Sequence, residues 1–87
     1  MHRTGGDFWD DYWALPAGIR DRADRQFALL KANQRHPSLH FKKLTTRNGQ
    51  EIWSARVTSQ YRALAFKVEG GYVWFWIGQH GVYDGII

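Results

Sequence analysis

The chain contains no cysteine, and only one methionine and two prolines, among 87 residues. Without thiols it can form neither a disulfide framework nor a thiolate metal site, and it has no cysteine nucleophile. No apolar run approaches the roughly 18 residues of a membrane span. Residues Met1 to Asp7 lack the apolar segment of a secretory signal. The expectation is a cytoplasmic protein with no membrane partner. A Gly-rich phosphate loop ending in Lys-Ser/Thr and a Gly-x-Ser-x-Gly elbow are also missing. Glu51 and Glu69 are the only carboxylates in the strand-like region before the last residues, and they flank turns, which argues against a paired-carboxylate site. Most common enzyme classes are thereby excluded, leaving a cationic site acting on a phosphodiester without a metal or other cofactor.

Basic charge is present but uneven. The net charge is +4, yet residues 1–30 hold four arginines against five aspartates, and residues 68–87 have no Lys or Arg. Residues 31–67 hold eight Lys/Arg against Glu51 alone, a surplus of seven. Such a block either attracts an anionic partner (phosphate backbone, acidic protein or membrane surface) or is a solvated basic surface.

The length supports one domain spanning residues 1–87, with no repeat or linker. Asp7 is placed to cap a short helix in which Phe8, Tyr12 and Leu15 recur at helical spacing and Trp9 and Trp13 form an i,i+4 pair. Leu15-Pro16 interrupts it, and Pro16 suits the first turn of a second helix reaching about Asn33. There Ile19, Ala23, Phe27 and Leu30 line an apolar face, opposite Arg20, Asp21, Arg22, Asp24 and Arg25. The interleaved aspartates would repel phosphate, so this reads as a core helix. Strand patterns follow: Leu39 to Leu44, the hairpin signal Asn48-Gly49, then "EIWSARV", "YRALAFKV" and "YVWFWI". "MHRTGGD" has no strand pattern. The predicted fold is α+β: two N-terminal helices packed on a twisted antiparallel sheet of three to four strands, with a short C-terminal turn or helix. Period two puts Trp53, Ala55 and Val57 on one face, and Ile52, Ser54 and Arg56 on the other.

Arg56 and Arg62 lie on successive strands joined by a tight connection; paired as a hairpin, both guanidiniums would reach one phosphate. The alternative is surface arginines, or ion pairs with Glu51 or Glu69. His80 follows the last strand and Tyr83 stands three residues on, so a turn or short helix would bring both to one side. Imidazole exchanges a proton near neutral pH, and a tyrosine orients a substrate or stacks on a base. A histidine bonded to backbone and a tyrosine plugging the sheet would look the same in sequence. Lys42 and Lys43 are consecutive strand residues, so at most one reaches a given site. His36 and His40 have metal-like spacing, but Pro37 disfavours a helix there and no ligand cluster surrounds them, so no metal site is assigned.

Taken in order, "LPAGIRDRADRQFALL", "HPSLHFKKL", "WSARVTSQYRAL" and "WFWIGQHGVYDGII" resemble the RelE/ParE superfamily of bacterial type II toxins, from about Phe8 to Ile87. The resemblance implies a compact α+β toxin neutralised by a cognate antitoxin. Its ribonuclease branch cleaves messenger RNA in the ribosome without metal. On that branch Arg62 matches the catalytic arginine, Arg56 a second arginine of some members, His80 a catalytic arginine or histidine, and Tyr83 a C-terminal tyrosine that orients RNA. Lys42 and Lys43 would be RNA contacts. Trp53 and Ala55 stand where one ribonuclease group has two lysines, and Lys42 and Lys43 where another has a glutamate base, so the general base is unassigned. The ParE branch implies instead a non-enzymatic inhibitor of DNA gyrase, and a toxin-like binding domain without toxicity is a third reading.

Overall fold

The structure, a computed structural model, describes residues 1–83, with side chains as far as Val82. In chain order they form β1 (His2–Thr4), α1 (Phe8–Trp13), α2 (Ala17–Ala32), a 3-10 turn (Pro37–Leu39), β2 (Lys42–Arg47), β3 (Gln50–Arg56), β4 (Tyr61–Val68), β5 (Gly71–Gln79) and α3 (His80–Tyr83). The sheet order is β1-β5-β4-β3-β2; β1 runs parallel to β5 and the other pairs are antiparallel. The α+β expectation with two N-terminal helices holds. Three to four antiparallel strands become a five-stranded mixed sheet.

The extra strand is β1, which hydropathy does not reveal because its main chain does most of the holding. The Tyr72 amide donates to Met1 O at 2.8 Å, the terminal ammonium donates to Gly70 O at 3.0 Å, and the Gly5 amide donates to Trp74 O at 3.0 Å. Gly71 lies so close to Met1 that a Cβ would fall 1.9 Å from the Met1 carbonyl oxygen. The His2 ring stacks on Tyr72 at 5.2 Å and joins a cluster with Phe41 and Trp74.

His2 also makes this strand sensitive to pH. Trp74 Nε1–H donates to His2 Nδ1 at 3.1 Å, which places the imidazole proton on Nε2, 3.1 Å from Gln34 Oε1. A second proton on Nδ1 would break the Trp74 bond. Burial, assisted by the terminal ammonium, pushes the His2 pKa down against the opposing pull of Gln34. A group whose folded pKa is lowered binds its proton first in the unfolded state, so its contribution is complete above about 6.5 and shrinks as pH falls towards the folded value. Urea denaturation between pH 7.5 and 5 should therefore show a steeper loss of stability for the wild type than for His2→Gln. Parallel curves would contradict this.

Asp7 stands at the N-cap of α1 but makes no side-chain cap bond, contrary to the sequence expectation. One turn on, the Asp11 carboxylate accepts from the backbone N–H of Ile77, on β5 beyond its pairing with β1. Partial burial, with Asp7 and Asp10 nearby, pushes the Asp11 carboxyl up. Pro16 is the N-cap of α2, which presents the expected face: Ala23 and Leu30 are buried, Ile19 and Phe27 half-buried. Against it pack Phe8, Leu15, Leu39, Ala55, Val57, Ala63, Trp74 and Ile77. Each large apolar side chain so buried contributes roughly 1.5–3 kcal/mol.

β2 begins at Lys42, three residues later than expected. Pro37 starts a 3-10 turn, His36 accepts from the Ser38 amide, and His40 closes it with a left-handed backbone (φ 44°). Leu39 is carried into the core rather than into the strand. Asn48 and Gly49 have φ of 51° and 79° and join Arg47 to Gln50 in the expected tight hairpin. Two irregularities interrupt the alternation. Lys43 pairs with Trp53 and Thr45 with Ile52, leaving Leu44 extra; Ala65 pairs with Trp74 and Leu64 with Trp76, leaving Phe75 extra.

Candidate active site

Cross-strand partners share a sheet face, so register sorts the side chains. One face carries Trp53, Ala55, Ala63, Ala65, Tyr72, Trp74 and Ile77 into the helix-covered core. On the other, three rows cross the sheet: Arg56, Arg62 and Gly78; Lys42, Ser54, Leu64 and Trp76; Thr45, Ile52, Phe66 and Val73. Ile52, Ser54 and Leu64 are buried there, so this face is not simply solvated. Arg47, paired with Gln50, and Arg3, paired with Val73, complete its cations.

Among the described residues, the strand positions of this face carry Arg3, Lys42, Arg47, Arg56 and Arg62 and no Asp or Glu. Glu51 lies on the opposite face, where it accepts from Trp53 Nε1 at 2.9 Å. That bond, with Lys43 and Lys67 close by, holds its carboxyl below the ordinary value. The sheet thus segregates charge in part: Lys42, Arg47, Arg56 and Arg62 of the basic middle block share one face, while Lys43 and Lys67 lie on the other with Glu51.

Arg56 and Arg62 are direct Cα partners. Such partners lie about 4.5–5.5 Å apart, which lets two guanidiniums address one phosphate. Arg62 Nη1 donates to Thr58 O at 2.6 Å and Tyr61 O at 3.1 Å, folding its guanidinium against the β3–β4 turn. Arg56 is anchored through its backbone, whose carbonyl accepts from Gln26 Nε2 at 2.9 Å, tying α2 to the strand end. Its Nη1 lies 3.4 Å from His40 Nε2. With arginine able only to donate, this contact requires an imidazole whose Nε2 carries a lone pair.

His40 is the residue missed by sequence reasoning as part of this group. Its spacing from His36 drew attention to metal binding, whereas its structural neighbour is Arg56, sixteen positions away; His36 instead caps the 3-10 turn. No group of three metal-ligating side chains occurs among the described residues. The left-handed backbone at His40 (φ 44°), uncommon for a residue with a side chain, gives no sign in the sequence.

His80 opens α3 directly after β5, and its amide donates to Gln60 O at 2.6 Å, beside the turn that holds Arg62. The expected short C-terminal helix is therefore present. The Tyr83 side chain lies outside the described residues. Lys42 shares the arginine face, whereas Lys43, opposite Trp53, projects to the other face and is not gathered with Arg56 and Arg62. The last strand is only partly core: Tyr72, Trp74 and Ile77 are, but Phe75 and Trp76 turn to the arginine face.

Residues 17–85 match the ParE-like toxin domain. The chain belongs to this family, within the RelE/ParE superfamily of toxins. Comparison with curated proteins finds no sequence match. Solved structures share the fold at low identity. RelE of the RelB–RelE antitoxin–toxin complex from Methanococcus jannaschii superposes with a TM-score of 0.72 at 15% identity, covering 98% of this chain and 99% of the other. Archaeal RelE from the Pyrococcus horikoshii OT3 RelE–RelB complex gives 0.69 at 13%, covering 92% and 93%. The YoeB/ParE toxin from Agrobacterium tumefaciens gives 0.67 at 17%, covering 91% and 96%. Among the described residues, no helix is long and apolar enough to cross a membrane.

Proposed function

We propose that this chain is the toxin of a toxin–antitoxin pair and that it cleaves messenger RNA on the ribosome by metal-free transphosphorylation. The observation that carries this reading is the direct opposition of Arg56 and Arg62 on a sheet face whose strand positions hold no carboxylate. In this reaction the ribose 2′-oxygen attacks the adjacent phosphorus and the 5′-oxygen leaves. The products are a 2′,3′-cyclic phosphate and a 5′-hydroxyl. Arg62, held by the Thr58 and Tyr61 carbonyls, stabilises the charge gathering on phosphorus, with Arg56 beside it. On binding RNA, Arg56 turns from His40 to the phosphate, which frees the Nε2 lone pair of His40 to take the 2′-hydroxyl proton. His80 protonates the departing oxygen, Tyr83 orients the RNA and Lys42 contacts its backbone. The chemistry uses imidazole and guanidinium alone and needs no cofactor.

The cognate antitoxin is a protein, as in the two RelE–RelB complexes sharing this fold. An acidic, partly disordered segment that folds on contact suits the cationic face. The ParE-like profile match favours a second reading, gyrase inhibition without catalysis. Controlled expression separates the two. The ribonuclease reading expects messages to be cut before DNA is damaged, and His80→Ala to abolish growth arrest while leaving antitoxin binding intact. DNA breaks with intact messages, or undiminished arrest in His80→Ala, would reject it.

A further inference from the structure

The bulge in β5 has a consequence for recognition. A regular strand would send Phe75 and Trp76 to opposite faces; the extra residue turns both towards the side that carries Arg56 and Arg62. Phe75 stacks on Phe66 of the neighbouring strand, with ring centroids 4.2 Å apart and planes 18° from parallel. Both rings are half-buried and stand outside the helix-side core cluster. The Trp76 indole lies over Gly78, the cross-strand partner of Arg62, so closely that a Cβ there would fall 2.6 Å from the ring. Aromatic rings thus continue, along the same face, from the arginine row.

We propose that the Phe66–Phe75 pair is a stacking platform for an unpaired nucleobase of single-stranded RNA whose phosphodiester is held by Arg56 and Arg62. The inference rests on the RNA reading above and adds how the strand is seated. A cationic face whose described strand positions hold no carboxylate, with aromatic rings set into it, is a combination that binds single-stranded nucleic acid: cations take the backbone, and rings take bases of any sequence. A flat sheet cannot read the deep groove of an RNA duplex, whereas a splayed single strand can lay its bases on it. Phe66 lies four residues along β4 from Arg62, about 13 Å at the usual rise of a strand. The stacked base therefore belongs to a neighbouring nucleotide, not to the one being cut.

The test measures fluorescence anisotropy of a labelled, uncleavable 2′-O-methyl oligoribonucleotide with the purified protein at several salt concentrations. Phe75→Leu keeps apolar volume and removes the ring. It should weaken binding about tenfold while leaving the slope of log K against log salt unchanged. Arg62→Ala should also weaken binding but lower that slope by about one. Phe66→Leu provides a second variant should Phe75→Leu fail to fold, as thermal melting would show. Wild-type affinity in the folded phenylalanine variant, with Arg62→Ala weakened, would overturn the platform and leave the RNA face standing. If no protein binds the free oligonucleotide, the platform fails, while the RNA reading stands or falls on the message-cleavage experiment above. Unchanged RNA affinity with weakened antitoxin binding would assign the pair to the protein partner and overturn the proposal.

Discussion

Arg62→Ala is expected to slow RNA cleavage by about 10²- to 10³-fold, the cost of removing one preorganised donor from a developing oxyanion. The side chain has a structural role as well, because Nη1 ties the Thr58 and Tyr61 carbonyls of the β3–β4 turn. Losing those bonds costs about 1.5–3 kcal/mol, so cleavage rates must be read below the melting transition. Arg62→Lys separates the roles: it keeps the charge but loses the planar fork, and should fall between wild type and alanine. Cleavage by folded Arg62→Ala at the wild-type rate would remove Arg62 from the chemistry.

Trp74→Ala carries the largest stability effect. Trp74 is 1% exposed, packs in the helix-side core, pairs with β1 through Thr4 and donates to His2. Truncating a buried aromatic of this size costs about 3–5 kcal/mol, against a total of about 4–13 kcal/mol for a domain of this length. The variant should be partly or wholly unfolded at 37 °C, with β1 released. Trp13 is the comparison: it is 66% exposed and touches Arg20 through a cation–π contact. Trp13→Ala should change stability by no more than about 1 kcal/mol. Thermal melts of the two variants check the contrast, and equal losses would mean that the core is misplaced.

What could be read from the chain follows the range of the forces involved. Asn48-Gly49 announces its turn because positive φ is a local property, and Ile19, Ala23, Phe27 and Leu30 announce the core face of α2 because helical periodicity is local too. The opposition of Arg56 and Arg62 was legible because one short connection fixes their register. β1 was illegible: its bonds are main-chain contacts to residues about seventy positions away, and its side chains His2 and Arg3 show no apolar alternation. The bulges at Leu44 and Phe75 were equally hidden, and each shifts every later side chain by one face. That two consecutive lysines must diverge followed from sequence; that Lys42 takes the arginine face required the register with Ser54. His40 was assessed against its sequence neighbour His36, but a chain reversal and a strand pairing bring it to Arg56.

The measurement that bears most directly on the central claim is the chemistry of the ends left on cut messages. If guanidiniums and imidazoles on this face drive attack by the 2′-oxygen, the fragments carry a 2′,3′-cyclic phosphate or its 3′-phosphate product upstream and a 5′-hydroxyl downstream. Such ends should disappear with Arg62→Ala. Fragments with 5′-phosphates, or intact messages in cells arrested by the wild-type protein, would contradict the account.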